Sequence, residues 1–364
     1  MDKGSNPKRN INEGGIRMFK GFHRNHFVSV ICAIIAVGLL STTVLGANEK
    51  IVLRLGAQCP ATDESPEHKA LLTFKRFVEA ESGGRVEIKY YPASQLGYER
   101  EMLEAVKMGT LDMTMIAEGP ISGFYPTVYV LSIPYLFSDS AVAWKVLDGP
   151  FGQELAEDMR EKMGVMVLGY GENGFRHFTN NQRRVTKLED LKGLKIRVME
   201  SPLYIELVRA LGALPTPMSG GGELYNAMQQ KVVDGQENPL DQIYTFRFYE
   251  VQKYVVIDGH TYSPHFLLIN ENRFNSLPKE VQTILKHGGH VFSAAERGMK
   301  RELDLRSKEL LEEKGMIVDA LSEEEKARFR EATQGPVIEW MESKVDRVWI
   351  DKALKAAEEV EANF

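Results

Sequence analysis

From about residue 50 onward, the spacing of apolar and polar positions divides the chain into short strands and longer helices. The β-branched run IVLRLGA at Ile51–Ala57 predicts a first strand. A helix follows: Ser65 is a good N-cap, Pro66 suits the first helical position, and Glu67 complements the helix dipole. Ala70, Leu71, Phe74, Phe77 and Val78 recur at helical spacing, and Gly83 and Gly84 stop the run. Alternation over 85–91 predicts a second strand, ended by Pro92, and a helix is expected from about Tyr98 to Met108. Strands at 111–117 and 165–170 flank helical material over 139–163. This strand–helix rhythm implies a mainly parallel sheet covered by helices.

After Gly171 the rhythm restarts. Thr186 to Leu191 has the pattern of a capped turn, 194–198 that of a strand, and 203–211 and 223–232 those of helices. Residues 254–257 and 265–270 read as strands. Between Pro278 and Lys314 there is no proline, and the composition favours helix throughout. One helix of that length would bridge two domains. A break at Gly288–Gly289 would instead give two helices, because glycine weakens helix interiors.

The N-terminus reads differently. Lys20 and Arg24 precede the apolar run FVSVICAIIAVGLL at 27–40, and small residues follow up to Gly46 and Ala47. That is the order of a secretory leader, expected to occupy 1–46, with Met18 a better-proportioned start than Met1. A retained membrane anchor is the competing reading of this stretch. Cys32 falls inside the apolar run, so Cys59 alone remains after cleavage and cannot form an internal disulfide. Residues 1–46 hold six basic and two acidic groups. Removing them from the chain's 45 basic and 51 acidic residues leaves 39 and 49, a net charge of −10 over 318 residues.

An acidic chain without a basic block is not a nucleic-acid binder. The sequence has no glycine-rich phosphate loop, nucleophile elbow, HExxH or CxxC, so no cofactor and no catalytic residue is expected. His260 and His265 are spaced by five, which fits neither a helix face nor one face of a strand. His287 and His290 could share a helix face, but no carboxylate completes a ligand set, so no metal site is expected.

One group of motifs stands out: GENGFRHF at 171–178, GLKIRV at 193–198, PTPM at 215–218 and DGQENP at 234–239. SQLG at 94–97, GTLDM at 109–113 and IPYLF at 133–137 belong with them. Through these motifs nearly all of the chain after the leader resembles the periplasmic solute receptors of tripartite ATP-independent periplasmic (TRAP) transporters. The resemblance implies a two-lobed α/β periplasmic-binding-protein fold, with the ligand cleft between the lobes and a long helix crossing both. It places 47–172 plus about 264–303 in lobe I, and 173–263 plus about 304–364 in lobe II. It implies a periplasmic monomer that binds a small organic-acid anion and delivers it to TRAP membrane subunits.

The resemblance also assigns residues. Arg197 of GLKIRV would clamp the ligand carboxylate, Arg176 would be a second cleft cation, and Asn238 would hydrogen-bond the ligand. Glu118 would face ligand hydroxyls, and His68 could reach the cleft from the first helix. A guanidinium suits the first task because its rigid fork matches a carboxylate. The sequence departs from the family after Met218, where an aromatic gives way to Ser219-Gly220-Gly221-Gly222, and Glu200 adds a charge near Arg197. Two free arginines with an ionised Glu118 would leave one net positive charge, matching a hydroxylated monocarboxylate such as a sugar acid. Two arginines without Glu118 would suit a C4-dicarboxylate. A secreted enzyme using Glu118 and a histidine as acid and base, or a receptor for a signalling partner, are the alternatives.

Overall fold

The structure is a computed structural model and describes residues 49–363. The expected leader, the start at Met18 and Cys32 lie outside the described residues. In chain order, strand β1 (Ile51–Ala57) leads to helix α1 (Pro66–Glu81), β2 (Val86–Tyr91), α2 (Glu99–Lys107), β3 (Met113–Ala117) and the short α3 (Glu118–Ile121). After a 3-10 turn over Pro126–Ser132 come α4 (Ser140–Asp148), α5 (Pro150–Met163), β4 (Val165–Tyr170), β5 (Gly174–Asn180) and β6 (Lys195–Val198). Then follow α6 (Pro202–Ala210), β7 (Leu214–Pro217), α7 (Gly221–Gln229), β8 (Gly235–Asn238) and α8 (Leu240–Thr245). The chain ends with β9 (Tyr254–Ser263), β10 (His265–Asn270), α9 (Glu271–Asn275), α10 (Lys279–Glu313), β11 (Ile317–Ala320), α11 (Glu323–Glu342) and α12 (Arg347–Glu361).

The strands form two sheets, one per lobe: β2-β1-β3-β10-β4 and β11-β9-β5-β8-β6-β7. Each is mixed rather than mainly parallel. β10 runs antiparallel between β3 and β4, and β5 antiparallel between β8 and β9, while β1 and β6 pair in parallel with both neighbours. The reversed strands are those entered from the other lobe. β4 passes to β5 through 171–173, and β9 passes to β10 through Pro264. The two crossings are tied together: Gly171 N–H donates to the His265 carbonyl (2.8 Å) and Asn173 N–H to the Ser263 carbonyl (3.0 Å).

Four strands escape the periodicity rule. β5, β7, β8 and β11 have little apolar alternation, and β8 is GQEN, yet all four of its residues are buried. Its polar side chains are paired inside the protein, which no count of apolar positions detects. The helical material over 139–163 is two helices, divided where Gly149 meets Pro150, which lacks the N–H to continue the first.

Helix α1 begins as its sequence dictates, with Ser65 Oγ accepting the His68 N–H (3.3 Å), and it buries Ala70, Leu71, Phe74 and Val78. Helix α10 is continuous over 35 residues. It packs on α1 and β4 of one lobe and on α8 and β11 of the other. The paired glycines make this possible. A Cβ at Gly289 would lie 2.0 Å from the Leu168 carbonyl oxygen of β4, and one at Gly288 would lie 2.9 Å from the Phe74 ring of α1. Helix α11 packs on α6, and α12 packs on α4 and the 126–132 turn. Among the described residues no helix is long and apolar enough to cross a membrane.

Candidate ligand-binding site

The C-terminal ends of β1, β3, β6 and β8 meet at a cavity between the two sheets, the position where open α/β sheets leave a crevice. Its lining surrounds about 510 Å³ of non-atom space, open solvent included, of which about 40 Å³ admits the centre of a water-sized sphere. Gln58, Cys59, Glu67, Glu99 and Ala117 wall it from the first lobe, Arg176, Arg197, Met199, Gly220, Asn238 and Gln242 from the second, and Asn173 from the crossing.

Arg197 lies on β6, in register with Thr216 of β7 and Gln236 of β8, and is 3% exposed. Its Nε donates to the Met218 carbonyl (2.9 Å), which turns the rest of the fork away from the strand. No carboxylate among the described residues lies within ion-pair distance of it. Burial lowers its pKa to about 10, opposed by the more distant Glu237 and assisted by Arg176, so it stays charged at neutral pH. The glycine loop closes beside it. A Cβ at Gly220 would stand 3.5 Å from Arg197 Nη2 and 2.5 Å from Gln58 Nε2, so a side chain there would push the Gln58 amide aside.

Arg176 also lines the cavity, but it is not a free cation. Fully buried on β5, it grips Glu237 of β8 through Nε and through Nη2 (2.9 Å to Oε1), and Nη2 reaches Asn238 Oδ1 at 3.0 Å. Its Nη1 is buried without a hydrogen-bond partner. Asn238 Nδ2 in turn donates to Gln236 Oε1. Arg197, Arg176 and Asn238 are therefore brought together, with the charge of Arg176 already balanced.

Glu118 and His68 are outside the cavity lining. Glu118, at the start of α3, accepts from Ser132 Oγ (3.2 Å), Tyr204 OH (2.6 Å) and Ser263 Oγ. Burial raises its pKa, against the pull of nearby Arg176. His68 bonds Tyr90 OH through Nδ1 (3.1 Å), and burial lowers its pKa.

Several lining residues carry no mark in the sequence. Glu99 Oε1 accepts the Ala117 N–H (2.8 Å), and burial raises its pKa. Glu67 meets Lys300 Nζ at 2.9 Å, and Lys300 meets Asp241 at 2.6 Å, all three about 1% exposed. Burial alone would raise the Glu67 pKa; Lys300 and His265 outweigh it and hold the group at about 2. Glu67 was visible as a first-turn acid, but Lys300 is 233 positions away. Aromatic lining is present after all: Phe246 and Phe248, stacked at 5.6 Å, supply it from the segment after α8.

The sequence model of the family described as bacterial extracellular solute-binding protein, family 7, matches residues 58–344. A solute-binding protein of Verminephrobacter eiseniae is 41% identical over 260 residues, covering 71% of this chain and 76% of its own. The 2,3-diketo-L-gulonate-binding periplasmic protein YiaO of Escherichia coli is 35% identical over 297 residues, 81% of this chain and 85% of its own. The crystal structure of the sugar acid binding protein DctPAm from Advenella mimigardefordensis, in complex with galactonate, superposes with a TM-score of 0.82 at 31% identity. That match covers 86% of this chain and 99% of DctPAm.

Proposed function

The chain belongs to family 7 of the bacterial extracellular solute-binding proteins, and on that premise we propose that it captures a sugar-acid monoanion and delivers it to the membrane subunits of a TRAP transporter. The observation that carries the ligand class is Arg197, a buried guanidinium without a carboxylate partner among the described residues, at the wall of a cavity whose other arginine, Arg176, is already paired with Glu237. A buried cation in that position is completed by an anion, and its fork takes both oxygens of one carboxylate. Asn238 and Glu99 supply hydrogen bonds to the remaining oxygens. Glu99, a lining carboxyl group with no ion-pair partner among the described residues, suits a ligand hydroxyl rather than a second ligand carboxylate. The family relatives named above, which bind diketo-gulonate and galactonate, support the same class.

In this reading the lobes comprise 47–172 with about 264–303, and 173–263 with about 304–364, the last helix reaching back to pack on α4. Ligand contacts from both lobes favour the closed form, which the membrane subunits recognise. The protein acts as a monomer in the periplasm after loss of residues 1–46, and the ligand leaves chemically unchanged. Glu118 and His68 support the cavity walls rather than touch the ligand.

Thermal-shift titration tests the ligand class, because a ligand stabilises by RT ln(1 + [L]/Kd). Galactonate and gulonate are expected to raise the melting temperature well above any shift from succinate or malate. Larger shifts with the dicarboxylates would overturn the sugar-acid reading. Recovery of an altered ligand after incubation would overturn the receptor role.

A further inference from the structure

His265 stands at the first residue of β10, paired with Ala117 of β3, and is 3% exposed. Its ring lines the cavity from the sheet opposite Arg197. Nδ1 lies 2.9 Å from Glu296 Oε1 of α10, and Glu296 Oε2 accepts the Glu172 N–H at the crossing (3.0 Å). The ring is thus fixed from the long helix and from the hinge. With Nδ1 occupied, its remaining polar edge is Nε2, which makes no hydrogen bond among the described residues. A histidine so rigidly held, presenting an unused nitrogen to a polar cavity, is built to meet something in that cavity.

We propose that His265 is a second specificity-determining residue, whose Nε2 takes a hydroxyl of the bound acid remote from the carboxylate held by Arg197. The inference rests on the sugar-acid reading above. It also says why a hydroxylated acid fits. Glu296 keeps a proton on Nδ1, so Nε2 is a donor when the ring is charged and an acceptor when it is neutral. A hydroxyl can answer both states; a keto oxygen answers only the first. The charged groups around the ring are Glu296 and Lys300 on α10, Glu67 on α1 and Glu99 on α2. Burial opposes the imidazolium, but Glu296 outweighs it and raises the pKa, with Lys300 opposing and Glu67 assisting.

Two substitutions separate the ring's two edges. In His265→Asn the amide nitrogen can replace Nδ1 on Glu296, but nothing reaches the place of Nε2. In His265→Gln the amide nitrogen replaces Nε2 and leaves Glu296 unpaired. Calorimetric titration with galactonate is expected to show affinity reduced about tenfold or more in H265N, and within about threefold of the wild type in H265Q. An H265N protein that binds as tightly as the wild type overturns the inference. Equal losses in both variants also overturn it, because the histidine would then act only through Glu296. If the wild type binds neither galactonate nor gulonate, the sugar-acid reading fails and takes this inference with it. Wild-type binding with unaffected H265N removes this inference alone.

Discussion

The two arginines of the cavity differ in what surrounds them, and that difference predicts opposite phenotypes. Arg197 has a carbonyl on Nε and no carboxylate beside it, so under the proposed function its substitution takes away the carboxylate clamp and leaves no buried carboxylate stranded. Arg197→Ala is expected to lower sugar-acid affinity by about a hundredfold or more, and Arg197→Lys by about tenfold, because an ammonium lacks the fork. Both should melt close to the wild type without ligand. Calorimetry and thermal melts check the pair, and near-normal affinity in the lysine variant would remove the bidentate role. Arg176→Ala is expected to fail at the level of folding. It leaves fully buried Glu237 with only His260, at 3.5 Å, as a charged partner, an expected loss of up to about 3–5 kcal/mol in urea denaturation. The sequence showed both arginines through their motifs but not this distinction. Arg176 and Glu237 are 61 positions apart and meet because β5 and β8 pair antiparallel, a register that motif spacing does not encode.

At the scale of elements, the long helix shows what glycine can and cannot signal. Gly288 and Gly289 read as a break in the helix, yet the helix runs through them and through Gly298. Gly289 is there for approach: its Cα hydrogen faces the Leu168 carbonyl, where a methyl would fall at 2.0 Å. Gly298 has nothing within 4 Å of where a Cβ would lie. Gly289→Ala is therefore expected to cost about 1–3 kcal/mol as the helix is pushed from β4. Gly298→Ala should stabilise by about 0.5–1 kcal/mol through helix propensity and a less flexible unfolded chain. Denaturant midpoints of the two variants test this, and equal effects would refute the packing role of Gly289. The strands with apolar alternation were legible because alternation reports burial. β8 was not, because its three polar side chains, Gln236, Glu237 and Asn238, are buried by pairing, and β7, a run of LPTP, is short and only partly covered.

Across the whole molecule, one buried cation joins the lobes. Lys300 of α10 contacts Glu67, at the start of α1, and Asp241, on α8 beyond the DGQENP strand. The net charge of the chain says nothing of this centre, where a lysine and two carboxylates are about 1% exposed and each depends on the others. Lys300→Met is expected to destabilise the protein by about 3–5 kcal/mol at neutral pH, since both carboxylates lose their counter-charge. The pH dependence gives the sharper test. In the wild type Glu67 titrates at about 2, below its ordinary value of 4.5, so its stabilising contribution is complete above pH 4.5 and is lost as pH falls toward 2. Without Lys300 the strongest group holding Glu67 down is gone and its pKa rises, with His265 and the backbone hydrogen bond still opposing burial. Less of its stabilising contribution is then left to lose on acidification. The stability gap between wild type and Lys300→Met should therefore narrow steadily as pH is lowered through the carboxylate range, read from urea melts across that range. A gap that stays constant would mean that Lys300 contributes packing rather than charge. A gap that widens would mean that the carboxylates are neutralised by other groups.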